Sequence, residues 1–548
     1  MKLKLLIGIT LSVSGSVAMA ACADTTVNTD GSSSSSGSTS SSSGSTSSSS
    51  GSSSSASSSG STSSSSGSTS SSSGSTSSSS SSSSGSSGDG GVGPKNTKLK
   101  DGAFLIGVTT GATPHAVYYL DKGGNQYDVE AIALSNGAVT VLKANIGDSD
   151  NAYVSGGAVA FYTGTVSNVA TSVSVWTKAN GIKTVTTPTR QGLFAANQDG
   201  TLVAFSANAT ATSTDVVLTT SAAPSAASPA LTTDNAVNLA ALAGCSPQIG
   251  FAGSVLVGSY CTGTEAGATQ PKLVTAASGA AAVVRIDNAN EADAFQSGWI
   301  ADSTGGKIFV RGPAPTNEGR IVLAGATTTV AVVESDVTGA AIPKDGSALI
   351  YTTSTALKKA TFAAAPVITS VVGTDVKGLL GLSSDSKRAL YYTQRDAAQG
   401  LIDAYTVDFT AAAPAPVAIV ATPTASPSGF TADGASVVYV DEWGATTGKL
   451  KSKPAGGGAE KILDSASYGA FLPEGASGVT SVAGVNDLGQ GYLELTLKYA
   501  DAKVGGPAQP AATEVLYNTD FDIVFWSGKT LAYTGSAATS PLYSLTLP

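Results

Sequence analysis

From residue 157 onward, a small turn containing Gly or Asp recurs, each time just ahead of an apolar strand that often carries Tyr. The clearest copies are Lys344-Asp345-Gly346 before Ala348-Leu349-Ile350-Tyr351 and Asp385-Ser386 before Ala389-Leu390-Tyr391-Tyr392. Asp433-Gly434 precedes Val437-Val438-Tyr439-Val440, and Asp199-Gly200 precedes Leu202-Val203-Ala204-Phe205. Plainer copies sit at Gly157, Gly253, Gly306, Gly475 and Gly528. The steps between turns are 43, 53, 53, 40, 40, 48, 41 and 53 residues. A period of about 40–50 residues marks one supersecondary unit of a repeat architecture. Asp-Gly supplies the positive-φ hairpin turn, and the apolar, β-branched and aromatic run that follows suits a buried strand.

Each copy is followed by further alternating runs, as in Gly448–Ser452 and Ala459–Leu463 after Tyr439. No segment keeps a 3.6-residue apolar period over ten residues or more, so the expected fold class is all-β. The turn-plus-strand copies resemble the TolB-like or WD40-like propeller repeat, a Ser-Pro-Asp-Gly turn ahead of an apolar-aromatic strand. Phe430-Thr431-Ala432-Asp433-Gly434 and Ile342-Pro343-Lys344-Asp345-Gly346 carry that resemblance best, although no copy has the full motif. It implies a β-propeller over residues 101–548. Nine turns, with His115–Leu120 as the start of a further unit, leave three readings: insertions within larger blades, an unusually large ring, or two rings. The expectation is one ring of about eight blades, within a range of seven to ten. The C-terminal unit shows three strands, and Ala103–Val108 is expected to add the fourth and close the ring.

Ahead of the body, Lys2 and Lys4 precede an apolar run from Leu5 to about Val17, then small residues, then Cys22. This reads as an export signal over residues 1–21 and is too short for a comfortable transmembrane helix. Two processing routes compete. Ala18-Met19-Ala20 fits cleavage after Ala20, whereas Met19-Ala20-Ala21-Cys22 resembles a bacterial lipobox with Met where Leu is usual. Lipidation of Cys22 would explain the odd cysteine count, leaving Cys245 and Cys261 as a pair. Residue Ala23 is not Asp, which by resemblance to Gram-negative lipoproteins favours the outer membrane; the alternative is secretion. After an acylated segment at 22–30, residues 31–93 form a Ser/Gly tract with a seven-residue glycine step. It has nothing to bury and is expected to be a disordered tether spanning roughly 40–45 Å on average.

Without Lys2 and Lys4 the chain holds 27 basic and 38 acidic side chains, a charge of −11. That balance argues against nucleic acid and against charge-driven binding to an anionic membrane. Both methionines lie in the leader, so the body has no Met-rich adaptable groove.

Candidate sites are sparse. Cys245 and Cys261 lie sixteen apart and flank the turn at Gly253, so a disulfide there would stabilise by about 3 kcal/mol in the chain-entropy model. Free thiols are the alternative, and no His lies near for a metal site. His115 is the one histidine. It is read as a polar cap at a strand start, and a Ser-His-Asp enzyme would have to use it. Oxygen-rich loops at Asp148 and Asp150, at Asp287, Asn288, Asn290, Glu291 and Asp293, and at Asp520 and Asp522 match no calcium motif. Solvated loop charge is their plainer reading. Trp176, Trp299, Trp443 and Trp526 fall in separate units. The loop Asp441-Glu442-Trp443 could take a ligand, with Trp443 stacking on a sugar; strand-end packing is the competing reading.

No cofactor, metal or catalytic set is expected. Anchor, spacer and ring together suggest an envelope lipoprotein whose propeller is a non-catalytic scaffold for envelope proteins, touching the membrane through its lipid alone. A carbohydrate-binding or carbohydrate-active propeller and a structural or adhesive surface protein are the rivals.

Overall fold

Every turn singled out in the sequence joins the first two strands of a sheet of its own. Among the described residues, forty strands pair into ten four-stranded antiparallel sheets. In this computed structural model the described residues are 94–547, apart from breaks of which the longest are 235–247, 264–268, 288–294, 397–400, 421–425, 518–523 and 535–541. The expected leader, Cys22 and serine-rich tether lie outside the described residues, as does Cys245. In chain order, blades 1 to 9 are 103–147, 152–190, 194–234, 248–287, 300–334, 337–372, 376–420, 426–467 and 469–517. Blade 10 is 524–546 together with Lys95–Lys100.

The second strand of each blade explains the unbroken apolar runs. All six residues of Ser436–Asp441 are buried. Successive side chains point to opposite faces, so Val437 and Tyr439 pack on blade 7 while Val438 and Val440 pack on blade 9. The same division holds in blade 2, where Val159 and Phe161 meet blade 1 and Tyr162 meets blade 3. Such packing joins each consecutive pair from blade 1 to blade 9, and blade 9 meets blade 10 where Gly475 N donates to Gly528 O at 3.1 Å. Apolar packing returns from Ala532 and Leu542 of blade 10 to Ala103 and Tyr118 of blade 1. The fold is a single ten-bladed β-propeller ring.

The turns touch one another around the ring. Thr110 N donates to Gly156 O at 2.8 Å, Gly157 N to Asn197 O at 3.1 Å, and Lys344 N to Ser386 Oγ at 2.9 Å. Gly156 has φ +49°, and a Cβ there would lie 2.1 Å from Asn197 O, so both backbone conformation and neighbour demand glycine. Asp recurs for a separate reason. Asp433 Oδ1 accepts from Ala435 N at 3.0 Å and Thr431 Oγ1 at 2.7 Å, and Asp385 Oδ1 accepts from Lys387 N and Ser383 Oγ. A short carboxylate closing its own turn this way fixes the hairpin.

Two expectations need correction. The ring has ten blades, the upper end of the expected range and not eight. The Gly-only copies are not insertions: a positive-φ glycine makes the turn at Gly156, Gly253, Gly305 and Gly528, and each copy heads a full sheet. Nor does Ala103–Val108 close the ring. It pairs with His115–Gly123 as the innermost strand of blade 1. Lys95–Lys100, ahead of the expected start at 101, pairs with Leu542–Thr546, Lys95 opposite Thr546. An outermost strand is covered on one edge only, so it needs little apolar character, and Leu99 is its one large apolar residue.

Gly156→Ala is expected to lower unfolding free energy by about 1–3 kcal/mol or more. Gly181→Ala, with similar φ but open space around it, should cost only the backbone penalty, about 1–2 kcal/mol, and less than Gly156→Ala. Denaturant titration of both variants checks the difference.

Candidate functional site

Strand direction sorts the loops onto two rims. Strands within a blade are antiparallel, and the links from fourth to next first strand are as short as 335–336 and 373–375. All first strands therefore run the same way. The glycine turns and the third-to-fourth hairpins lie on one rim, here the turn rim. The second-to-third and fourth-to-first loops lie on the other, the loop rim. Asp441–Trp443 is a second-to-third loop, while Asp150 and Asp287 adjoin fourth-to-first links, so the ring gathers these candidates on the loop rim. Lys95–Lys100 runs as a fourth strand, so the chain reaches the ring at the turn rim.

The loop at Asp441 forms the densest ionic cluster. Lys451, on Gly448–Pro454, places Nζ 3.2 Å from Asp441 Oδ2, 2.7 Å from Glu442 Oε1 and 3.1 Å from Glu460 Oε1. Lys449 Nζ bonds Glu442 Oε2. Tyr439, directly opposite Lys451, donates from its hydroxyl to Glu460 Oε2 at 2.8 Å. The Asp441 and Lys451 side chains are each 4% exposed, whereas those of Glu442 and Glu460 are nearly half exposed, so the energetic weight rests on the Asp441–Lys451 pair. Burial pushes Lys451 down, but Glu442, Glu460 and Asp441 outweigh it and hold the ammonium above its ordinary range. The bonds from Lys449 and Lys451 draw Glu442 down to about 2. The Tyr439 hydroxyl, then Lys451, keeps Glu460 low. Trp443 is half-buried against the blade 8–9 core.

Among the described residues this cluster is one of three Tyr–Glu–Lys seams, a pattern not anticipated from sequence. Tyr118 donates to Glu130 Oε2 at 2.6 Å, with Lys100 Nζ 3.4 Å from the same oxygen. Tyr351 donates to Glu334 Oε2 at 3.0 Å, and Lys358, opposite Tyr351, bonds Glu334. Burial first, then the partner carboxylate, raises all three phenols well above their ordinary range. They are protonated donors at neutral pH. The sequence signal was the Tyr-bearing second strand itself; the Lys stands cross-strand from Tyr351 and Tyr439 but comes from blade 10 for Tyr118, positions that only the register reveals.

The remaining candidates are accounted for locally. His115 begins His115–Gly123 and is buried, its Nδ1 2.7 Å from Thr113 O and its ring edge-on to Trp176. Thr109 Oγ1 accepts from its backbone N. It caps a strand start, and burial lowers its pKa. Asp150 Oδ1 accepts from Thr165 N, and Asp287 pairs with Lys272 at 3.1 Å. Asp148, Asn288, Asn290, Glu291, Asp293, Asp520 and Asp522 lie outside the described residues. Among the described residues no three His, Cys, Asp or Glu side chains are grouped to hold a metal ion. Trp176 and Trp299 are buried in core clusters. Trp526 lies on Val524–Ser527 opposite Leu531. Cys261 is buried on Val255–Gly263 and disulfide-bonded.

No family model matches the chain, and no curated protein does. Solved structures similar to it include a eukaryotic initiation factor, at 11% identity over 68% of this chain and 91% of that one with a TM-score of 0.41. TolB from Acinetobacter baumannii is 13% identical over 54% of this chain and 80% of its own, TM-score 0.27. The β-propeller domain of the Trilobed protease from Pyrococcus furiosus is 12% identical over 59% and 99%, TM-score 0.29. The expected propeller fold is present in the ten four-stranded sheets of the chain itself.

Lys451→Met strips a buried carboxylate of its partner and is expected to destabilise the protein by about 3–5 kcal/mol, read by denaturant unfolding. With pH the wild type should behave in a defined direction. Glu442 and Glu460 titrate lower in the folded chain than in the unfolded one. The unfolded chain thus takes up protons first, from about pH 5 downward. Stability is full above that point and falls as pH drops toward about 2, which thermal melts across the range would show.

Proposed function

We propose that this chain is an envelope lipoprotein whose propeller is a non-catalytic scaffold, engaging an envelope protein with its loop rim. The observation that carries the reading is where the chain joins the ring. Lys95 starts its strand at the turn rim. A chain acylated at Cys22 and tethered through 31–93 would therefore leave the opposite rim, with Asp441–Trp443, free to meet a partner. Irregular loops held by a rigid ring are where binding residues belong. A glycan in place of a protein is the second reading, favoured by the half-exposed Trp443 on the same rim.

Photo-crosslinkers placed in cells at Thr355 and Asp375, exposed on the loop rim, should capture a recurring envelope protein. The same probe at Asp345 on the turn rim should not. Adducts from Asp345 alone would overturn the assignment, and glycan adducts would transfer it to the second reading.

The processing proposal has its own measurement. Intact mass and peptide mapping of the membrane fraction should show a diacylglyceryl group on Cys22 and a Cys245–Cys261 linked peptide. An unmodified chain starting at Ala21, or a cross-link involving Cys22, would reject it.

A further inference from the structure

In most blades the pairing of third and fourth strands skips one residue of the fourth strand, a β-bulge that turns that side chain into the cleft between blades. The skipped residues include Leu142, Ala230, Val333, Val371, Ile419 and Leu463. All six are apolar and buried. In blade 4 the pairing passes from Leu273–Ile286 to Val274–Val284 and skips Arg285. A cation thus stands at a position that the repeat elsewhere gives to a buried hydrocarbon.

Arg285 spans the cleft to blade 5. Its Nε donates to Thr275 Oγ1 at 2.7 Å, and Nη1 to Gly325 O at 2.9 Å and Thr328 Oγ1 at 3.0 Å. These bonds hold the guanidinium in place and neutralise nothing. No carboxylate pairs with it among the described residues, and Nη2 is left as a donor. Beside it lies a cavity of about 190 Å³, open at the turn rim and walled by Ala276, Ala277, Ala281, Ala324, Thr304 and Gly305. A cavity of about 150 Å³ holds a benzene-sized guest, so this one admits a small organic molecule.

We propose that the blade 4–5 cleft is a binding site for a small monocarboxylate with a short apolar tail. Nη2 keeps its N–H donors for a charge-assisted bond to a carboxylate oxygen, and the Thr275 hydroxyl can donate beside it. The alanine walls cover a hydrocarbon tail. Arg285 is the only cation lining the cavity, so it balances one negative charge and not two. The site faces the turn rim and does not depend on the scaffold reading.

The test uses the full chain with propionate as probe, against propionamide as its neutral counterpart and inorganic phosphate as a dianion. Saturation-transfer NMR reports binding at neutral pH. Wild type should bind propionate saturably, with propionamide and phosphate weaker by about tenfold or more. Arg285→Leu restores the hydrocarbon that other blades carry, so it should fold, as circular dichroism would verify, and lose propionate binding by a similar factor. Arg285→Gln serves the same purpose if the leucine variant does not fold. No saturable propionate binding by wild type, equal binding by a folded Arg285 variant, or a preference for phosphate would each overturn the proposal.

Discussion

Closure of the ring by Lys95–Lys100 against Leu542–Thr546 is the interaction on which the other nine blades depend. Each blade packs only on its two neighbours, so the array is quasi-one-dimensional. An open array would end on blade 10 with three strands and a bare hydrogen-bonding edge. Pairing a strand from before the first blade with the last one supplies that edge. It also ties blade 10 to blade 1, where Leu99 joins Ala103, Tyr118 and Leu542 in one core. Small turn residues then matter at every step, because contacts such as Gly157 N to Asn197 O hold adjacent hairpins in line.

The two rims differ in kind. On the turn rim, glycines and self-bonded aspartates interlock with their neighbours and leave little room for variation. On the loop rim, connections range from the pair 335–336 to longer segments, and eight of the nine described non-glycine residues with positive φ belong to this side, Ser386 being the exception. The ring thus separates a face of repeated turn geometry that builds the fold from a face of varied loops. The Tyr–Glu–Lys seams lie between these faces, inside the blade interfaces, where a phenol needs a partner and a carboxylate needs a cation.

Much of the fold was legible because its signals are local. A positive-φ turn followed by a strand buried on both faces can be read without knowing any partner, and nine turns did mark nine blades. The blade count was read low because nine turns and a further unit at His115–Leu120 were fitted to the four to eight blades usual for one ring, whereas every one of those units is a blade. Lys95–Lys100 was missed because its pairing partner lies at the far end of the chain and an edge strand carries no apolar alternation. The candidate site was less legible still. Asp441, Glu442 and Trp443 were found as a polar loop with an aromatic, but Lys451 and Glu460 join them only through cross-strand register. Arg285 gave no signal at all, since its singularity exists only relative to the bulge position shared by other blades.

The orientation of the closing strand has a mechanical consequence. Lys95 lies at the turn rim and the strand runs from there toward the loop rim, with five residues paired to Leu542–Thr546. A force drawn on the chain at Lys95, outward along the strand axis, loads those pairs together in shear. A force across the sheet would instead peel them one at a time from an end. The closing strand that completes the ring is thereby also placed as its handle, so that a pull from outside meets the joint in its stronger direction.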